Sequence, residues 1–128
     1  MYISGKLEKI TAKNNIVHTY PTSDYNEEGI RKAFGEVYVA TANIDHWVLF
    51  EHPSDDAGLT LRALECLSDT YRTISGHGCI GIAIEISSVF NTILKDLLPK
   101  DLDVPLLISQ DGAELNEFVF KVLAEHKG

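Results

Sequence analysis

Cysteine is scarce in this sequence. The two present, Cys66 and Cys79, lack the spacing of a zinc-ligand pair. That argues against a disulfide-stapled fold and against a cysteine-based metal centre, and both residues read as covered free thiols in a reduced, cytoplasmic protein. Basic residues are also few, eleven Lys and Arg against nineteen Asp and Glu, for a formal charge of -8. Such a balance repels phosphate backbones and anionic lipid, and the one loose basic cluster, Lys6, Lys9 and Lys13, reads as a solvated strand face. Nucleic acid and membrane are therefore not expected as partners. No apolar run approaches the length that crosses a bilayer, and the opening M-Y-I-S-G-K lacks the basic-then-apolar pattern of a secretory signal. Repeats and low-complexity tracts are missing too.

What is present suits one ordinary domain, 128 residues with 45% hydrophobic and 23% charged. A chain of this length buries roughly two thirds of the surface its unfolded form exposes, so it needs no staple. Its organising stretch is Cys79 to Ser88, C-I-G-I-A-I-E-I-S-S. Alternation sets Ile80, Ile82, Ile84 and Ile86 on one face and Cys79, Gly81 and Ala83 on the other, as in a strand covered on both sides. This is the expected central strand.

Around it the other elements follow. Tyr2 to Thr11 and Ile16 to Tyr20 are extended in character, and Lys13-Asn14-Asn15 between them is turn chemistry, so a hairpin is expected. Asp24 with Glu27 forms a capping-box pattern opening a helix with Ile30, Phe34, Val37 and Tyr38 on its inward stripe. His46 to Glu51 is a short apolar strand. Leu61, Leu64, Leu67, Tyr71 and Ile74 then mark a second helix, with Gly76 as its stop. After Ser87 and Ser88 a third helix is expected through Phe90, Ile93, Leu94, Leu97 and Leu98, halted by Pro99. Val104 to Ser109 is the last strand, and Asp111 with Glu114 opens a helix burying Leu115, Phe118, Val119, Val122 and Leu123. The expected fold class is α/β, a mixed five-stranded sheet with an N-terminal antiparallel hairpin, then parallel strands, and four helices in the order ββαβαβαβα over a single domain, residues 1–128.

Three stretches, D-Y-N-E-E-G-I-R-K-A-F at 24–34, F-E-H-P-S-D-D-A-G-L-T-L-R-A-L ending at Leu64 and G-H-G-C-I-G-I-A-I-E-I-S-S-V-F ending at Phe90, give the chain a resemblance by pattern. With the closing V-P-L-L-I-S-Q-D-G-A-E-L-N-E-F-V, it resembles the STAS-like proteins, which include the bacterial sporulation anti-sigma-factor antagonists and small stand-alone relatives. It is also similar to small proteins carried on mobile bacterial elements such as integron cassettes. The resemblance implies a STAS-like domain acting as a non-enzymatic regulatory module that binds a protein partner. In the phosphorylated antagonists an Asp-Ser-Ser-Gly-Leu loop carries the acceptor serine. Here the similar place reads Asp55-Asp56-Ala57-Gly58-Leu59, with Asp56 where that serine would stand, which removes the acceptor hydroxyl. An N-capping role explains Asp56 as well.

In an open α/β sheet, ligands bind beyond the carboxyl ends of parallel strands, near helix N-termini. The candidate ligand-binding residues on that rim are Glu51 and His52 after one strand, Asp56 in the loop that follows, Glu85, Ser87 and Ser88 after the expected central strand, and Asp111 after the last. Three carboxylates there suit a hard cation. Helix capping explains the acids at Asp55, Asp56 and Asp111 without any ligand, and Glu85 is the member capping explains least. His18, His46, His52, His77 and His126 form no metal-ligand pattern. The serines lack a nucleophile elbow, and Gly76, Gly78 and Gly81 precede or lie within a strand, the wrong context for a phosphate loop. No catalytic residue, metal or cofactor is assigned.

Two functions remain. The first is a non-enzymatic interaction module binding a protein partner or a second copy as a homodimer, with Tyr2, Tyr20, Tyr25 and Trp47 as contact candidates. The alternative is a small-ligand- or metal-binding protein, an enzyme among the options, using the acidic rim. The sequence places the interaction module first.

Overall fold

The computed structural model describes residues 11–21, 26–53, 61–86, 96, 98 and 101–126. Its elements are β1 (Thr11–Lys13), β2 (Ile16–Thr19), α1 (Glu27–Ala40), β3 (Trp47–Glu51), α2 (Leu61–Ser75), β4 (Cys79–Glu85), β5 (Leu106–Ser109) and α3 (Gly112–Glu125). The strands stand in the sheet in chain order, β1-β2-β3-β4-β5. From β2 to β5 every neighbouring pair is parallel, and the three-residue β1 lies antiparallel on the outer side of β2.

This corrects the expected architecture. The body of the sheet is four parallel strands, and among the described residues the N-terminal strand spans Thr11–Lys13, running into the Lys13 expected to begin the turn. Three helices, not four, are found among the described residues, in the order ββαβαββα. The expected third helix, through Phe90, Ile93, Leu94 and Leu97, lies outside them, as do Tyr2 to Ile10, while Leu98 at its end is buried. The last strand begins at Leu106, because Val104 and Pro105 form its approach, with the Pro105 carbonyl accepting from Ile82 N–H at 3.0 Å.

Sequential strand order has a physical consequence. Successive right-handed crossovers that step the same way across a sheet must lie on one face, so α1 and α2 pack side by side there. Ile30, Phe34 and Val37 of α1 and Leu64, Leu67, Tyr71 and Ile74 of α2 meet Val17, Trp47, Leu49, Ile82 and Ile84 in this layer. Each large apolar side chain so buried contributes about 1.5–3 kcal/mol before the entropy of ordering it is counted. On the opposite face, among the described residues, α3 covers the sheet, laying Leu115 and Val119 on Val48, Phe50 and Ala83.

The strand expected at the centre of the sheet, β4, stands fourth of five between β3 and β5, and it departs from strict alternation. Trp47 pairs with Cys79 but Val48 pairs with Gly81, so Ile80 is the extra residue of a bulge. Cys79 therefore faces the α1 and α2 layer and Ile80 the α3 layer, the reverse of the expected sides. From Gly81 onward the pattern is regular. Gly81 lets α3 come close, since a Cβ there would sit 3.0 Å from Val122 Cγ1.

Local chemistry explains the ends. Asn14 and Asn15, both at positive φ (58° and 66°), make the two-residue turn between β1 and β2, and Asn side chains tolerate that conformation. Asn15 then ties the turn to β3, its Nδ2 donating to His46 O at 2.8 Å and its carbonyl accepting from Val48 N–H at 2.9 Å. The N-cap of α1 is Asn26, whose Oδ1 accepts from Gly29 N–H at 2.9 Å. Asp24, the expected cap, lies outside the described residues. The helix runs on through Val37 and Val39 until Thr41 closes it, with both its N–H and its hydroxyl donating to Val37 O.

Candidate functional site

The parallel register brings the last residues of β2, β3 and β4 level with one another, pairing His18 with Phe50, Thr19 with Glu51 and Glu51 with Ile84. The two-residue period of a strand then decides which side chains meet. His18, Phe50, His52 and Glu85 fall on the α3 face, whereas Thr19, Glu51 and Ile84 fall on the other.

On the α3 face a continuous hydrogen-bonded chain results. Glu85 Oε1 lies 3.0 Å from His52 Nδ1, and His52 Nε2 lies 2.9 Å from His18 Nδ1. His52 is held in place by its backbone, N–H donating to Thr19 O at 2.8 Å, and by stacking on Phe50 and Tyr20 with ring centroids 4.3 and 5.0 Å away. His18 stacks on Phe50 as well, at 5.3 Å. Four rings thus form a shelf at the end of the sheet, with Phe50 buried beneath it, His18 and His52 half-buried and Tyr20 more exposed. Burial, and secondarily the neighbouring His52, lowers the pKa of His18 below its ordinary value of 6.5.

Glu85 has a second neighbour. A Cβ on Gly112 would sit 3.2 Å from Glu85 Oε2, so the carboxylate lies against the first residue of α3, where the helix end favours negative charge. That explains a carboxylate at the end of β4, its side chain 41% exposed and held between an imidazole and a helix N-terminus.

The other expected rim residues divide. Glu51 is 2% exposed and turned into the α1 and α2 layer, where its carboxylate accepts from Tyr71 Oη, in a close contact, and from Thr19 Oγ1 at 3.1 Å. It is part of the interior, not of the rim. Asp111 caps α3, with Oδ1 accepting from Ala113 N–H at 2.9 Å and Glu114 N–H at 3.3 Å. Glu114 closes the cap indirectly: Asp111 N–H donates to Ser109 Oγ, which donates to Glu114 Oε1 at 2.6 Å. Asp56, Ser87 and Ser88 lie outside the described residues, as do Tyr2 and Tyr25. Trp47 is fully buried and donates from Nε1 to His77 O at 3.2 Å, so it is core and not a contact residue.

His77 is exposed, packs at a tilt against Tyr38 with centroids 5.3 Å apart and has Nδ1 2.9 Å from Thr73 O, which makes it a fastening for the end of α2. At the amino end of β3, His46 packs on His126 with centroids 4.2 Å apart. Among the described residues no three His, Cys, Asp or Glu side chains converge as metal ligands. An open cleft of about 470 Å³ runs between α1 and α2 past Tyr38 and Cys66, but both its arginines, Arg31 and Arg62, already pair with Glu27.

His18 is the member that sequence reasoning missed. The signal lies in two short strings, I-V-H-T-Y and F-E-H, each carrying ring side chains two apart. They point to a shared site once β2 is known to lie parallel to β3 in this register. Comparison with protein-family models, with curated proteins and with solved structures finds no match.

Proposed function

We propose that this protein binds a small polar molecule at the carboxyl edge of β2, β3 and β4, on the α3 face of the sheet. The observation that carries the reading is the chain His18–His52–Glu85. Three side chains from three strands are hydrogen-bonded in line, beside an aromatic shelf and next to a helix N-terminus, at the edge where parallel sheets place their ligands. A polar network of this kind could have been replaced by apolar residues continuing the α3 layer. Its location supports a ligand more than it supports packing.

The test is a thermal melting panel of divalent metals, nucleotides, amines, alcohols and organic acids. A ligand at about a hundred times its Kd adds about 2.7 kcal/mol, which moves the midpoint by several degrees. The expected result is a shift that disappears in Glu85→Gln and His52→Gln. A panel with no shift, or a shift that survives both substitutions, sinks the reading.

A second reading is favoured by a different observation, the exposure of Val39 (74%) on α1 and Phe120 (62%) on α3. It takes the chain as a non-enzymatic regulatory module of the STAS-like kind, docking a protein partner or a second copy. Light scattering across a concentration series tests self-association, and a monomer at every concentration rules out the homodimer.

A further inference from the structure

We propose that the relay fixes His18 Nε2 as a hydrogen-bond acceptor, so that the molecule bound here presents a donor, an ammonium, amide or hydroxyl group, and not a phosphate or carboxylate. This rests on the ligand-binding reading above and names its ligand class.

The argument is one of proton counting. As a carboxylate Glu85 can only accept, so the hydrogen between Glu85 Oε1 and His52 Nδ1 belongs to His52. A neutral imidazole carries one N–H, which leaves His52 Nε2 an acceptor. The hydrogen in the 2.9 Å contact between the imidazoles must then come from His18 Nδ1, and His18 Nε2 is left bare. Nε2 of His18 meets no partner among the described residues.

The competing arrangement puts a second proton on His52. It would then donate to both neighbours, and His18 would turn to the other tautomer with Nε2–H outward, ready for an anion. Burial of His18 against Phe50, and secondarily the neighbouring His52, lowers the pKa of His18, so His18 itself is the uncharged ring of the pair and carries a single proton. Among the described residues the titratable groups that contact the pair are Tyr20, which stacks on His52, and Glu85 of β4. Neither is cationic. The free N–H groups of α3 do not supply an anion site either, because Asp111 takes those of Ala113 and Glu114 and the Glu85 carboxylate lies against Gly112. An incoming phosphate would meet the Glu85 carboxylate, in a protein of formal charge -8.

The experiment is nitrogen-15 correlation spectroscopy of the imidazole rings in the ligand-free protein at neutral pH, with resonances assigned through His18→Gln and His52→Gln. The expected result is a single tautomer at each ring, His18 and His52 both protonated on Nδ1 and bare on Nε2. Glu85→Ala, at a half-exposed side chain, should release both rings into averaged tautomers. Inorganic phosphate in large excess should leave the His18 nitrogens unmoved. Three results overturn the proposal: His18 carrying its proton on Nε2 in the wild-type protein, tautomers unchanged by Glu85→Ala, or a His18 shift on adding phosphate. None of these depends on the melting panel, so a panel without shifts counts against ligand binding while the tautomers are read independently.

Discussion

Tyr71 Oη donates to the carboxylate of Glu51, joining the middle of α2 to the last residue of β3 inside the layer between helices and sheet. Thr19 Oγ1 supplies a second donor from β2 at 3.1 Å. A buried carboxylate is tolerable only with such donors, and removing one leaves the acceptor with its desolvation cost uncompensated. Tyr71→Phe keeps the ring, with its edge contact to Phe34, and deletes the donor alone. The expected loss is about 1–3 kcal/mol. Urea unfolding measures it, and a change below about 0.5 kcal/mol, the level of an ordinary surface substitution, contradicts a structural role for the pair.

The imidazole pair predicts a pH dependence of stability with a definite sign. His18 has a folded-state pKa below 6.5, lowered first by burial and then by His52. Between that folded value and 6.5 the unfolded chain therefore binds more protons, so stability rises with pH across this window. It is fully present above 6.5 and is lost as pH falls through the window. Urea midpoints measured in steps from about pH 7.5 downward should show this slope, and His18→Gln should flatten it. An equal slope in both proteins would assign the effect to other groups.

Elements whose burial pattern is local were legible before any coordinates. The spacing of Leu64, Leu67, Tyr71 and Ile74 decides the face of α2, and Asp111 with Glu114 decides the start of α3, because both signals lie within one helical turn or two. Relationships across the sheet were not legible. Glu51 and His52 are adjacent in sequence and looked equivalent as rim residues, yet one residue of strand period sends Glu51 into the core and His52 onto the α3 face. The bulge at Ile80 was equally hidden, because it is set by how Trp47 and Val48 pair with β4. The coarse α/β assignment survives such errors, whereas the expected mixed sheet with four helices does not, and a site, which depends on register, survives least.

The thiols should differ sharply in reactivity. Cys79 is buried in β4, donates from Sγ to Gly81 O at 3.3 Å, and its pKa is pushed up to about 11, chiefly by burial. Cys66 is half-buried on α2 beside the cleft between the helices. The thiolate is the reactive form, so a disulfide reagent should label Cys66 in the native protein and Cys79 only after unfolding. Mass mapping after brief labelling checks this. Native labelling of Cys79 at a rate like that of Cys66 would show that β4 opens far more readily than a central strand should.

Two glycine-to-alanine substitutions should move stability in opposite directions. Gly78 sits at φ 97°, and a Cβ there would come within 3.0 Å of Asp45 O and 3.1 Å of Trp47 Nε1. Alanine therefore pays both a left-handed backbone and a crowded approach, and it presses on the indole N–H that donates to His77 O. A loss of about 2 kcal/mol is expected, with a change in tryptophan fluorescence as Trp47 shifts. Gly35 lies in α1 with nothing within 4 Å of its would-be Cβ, and its backbone is helical. Gly35→Ala removes only unfolded-state freedom and should add about 0.5–1 kcal/mol. The two proteins differ from wild type by the same methyl group, so opposite shifts in the urea midpoint isolate local backbone geometry as the cause. Shifts of the same sign would mean that the turn at Gly78 or the helix at Gly35 is not formed as described.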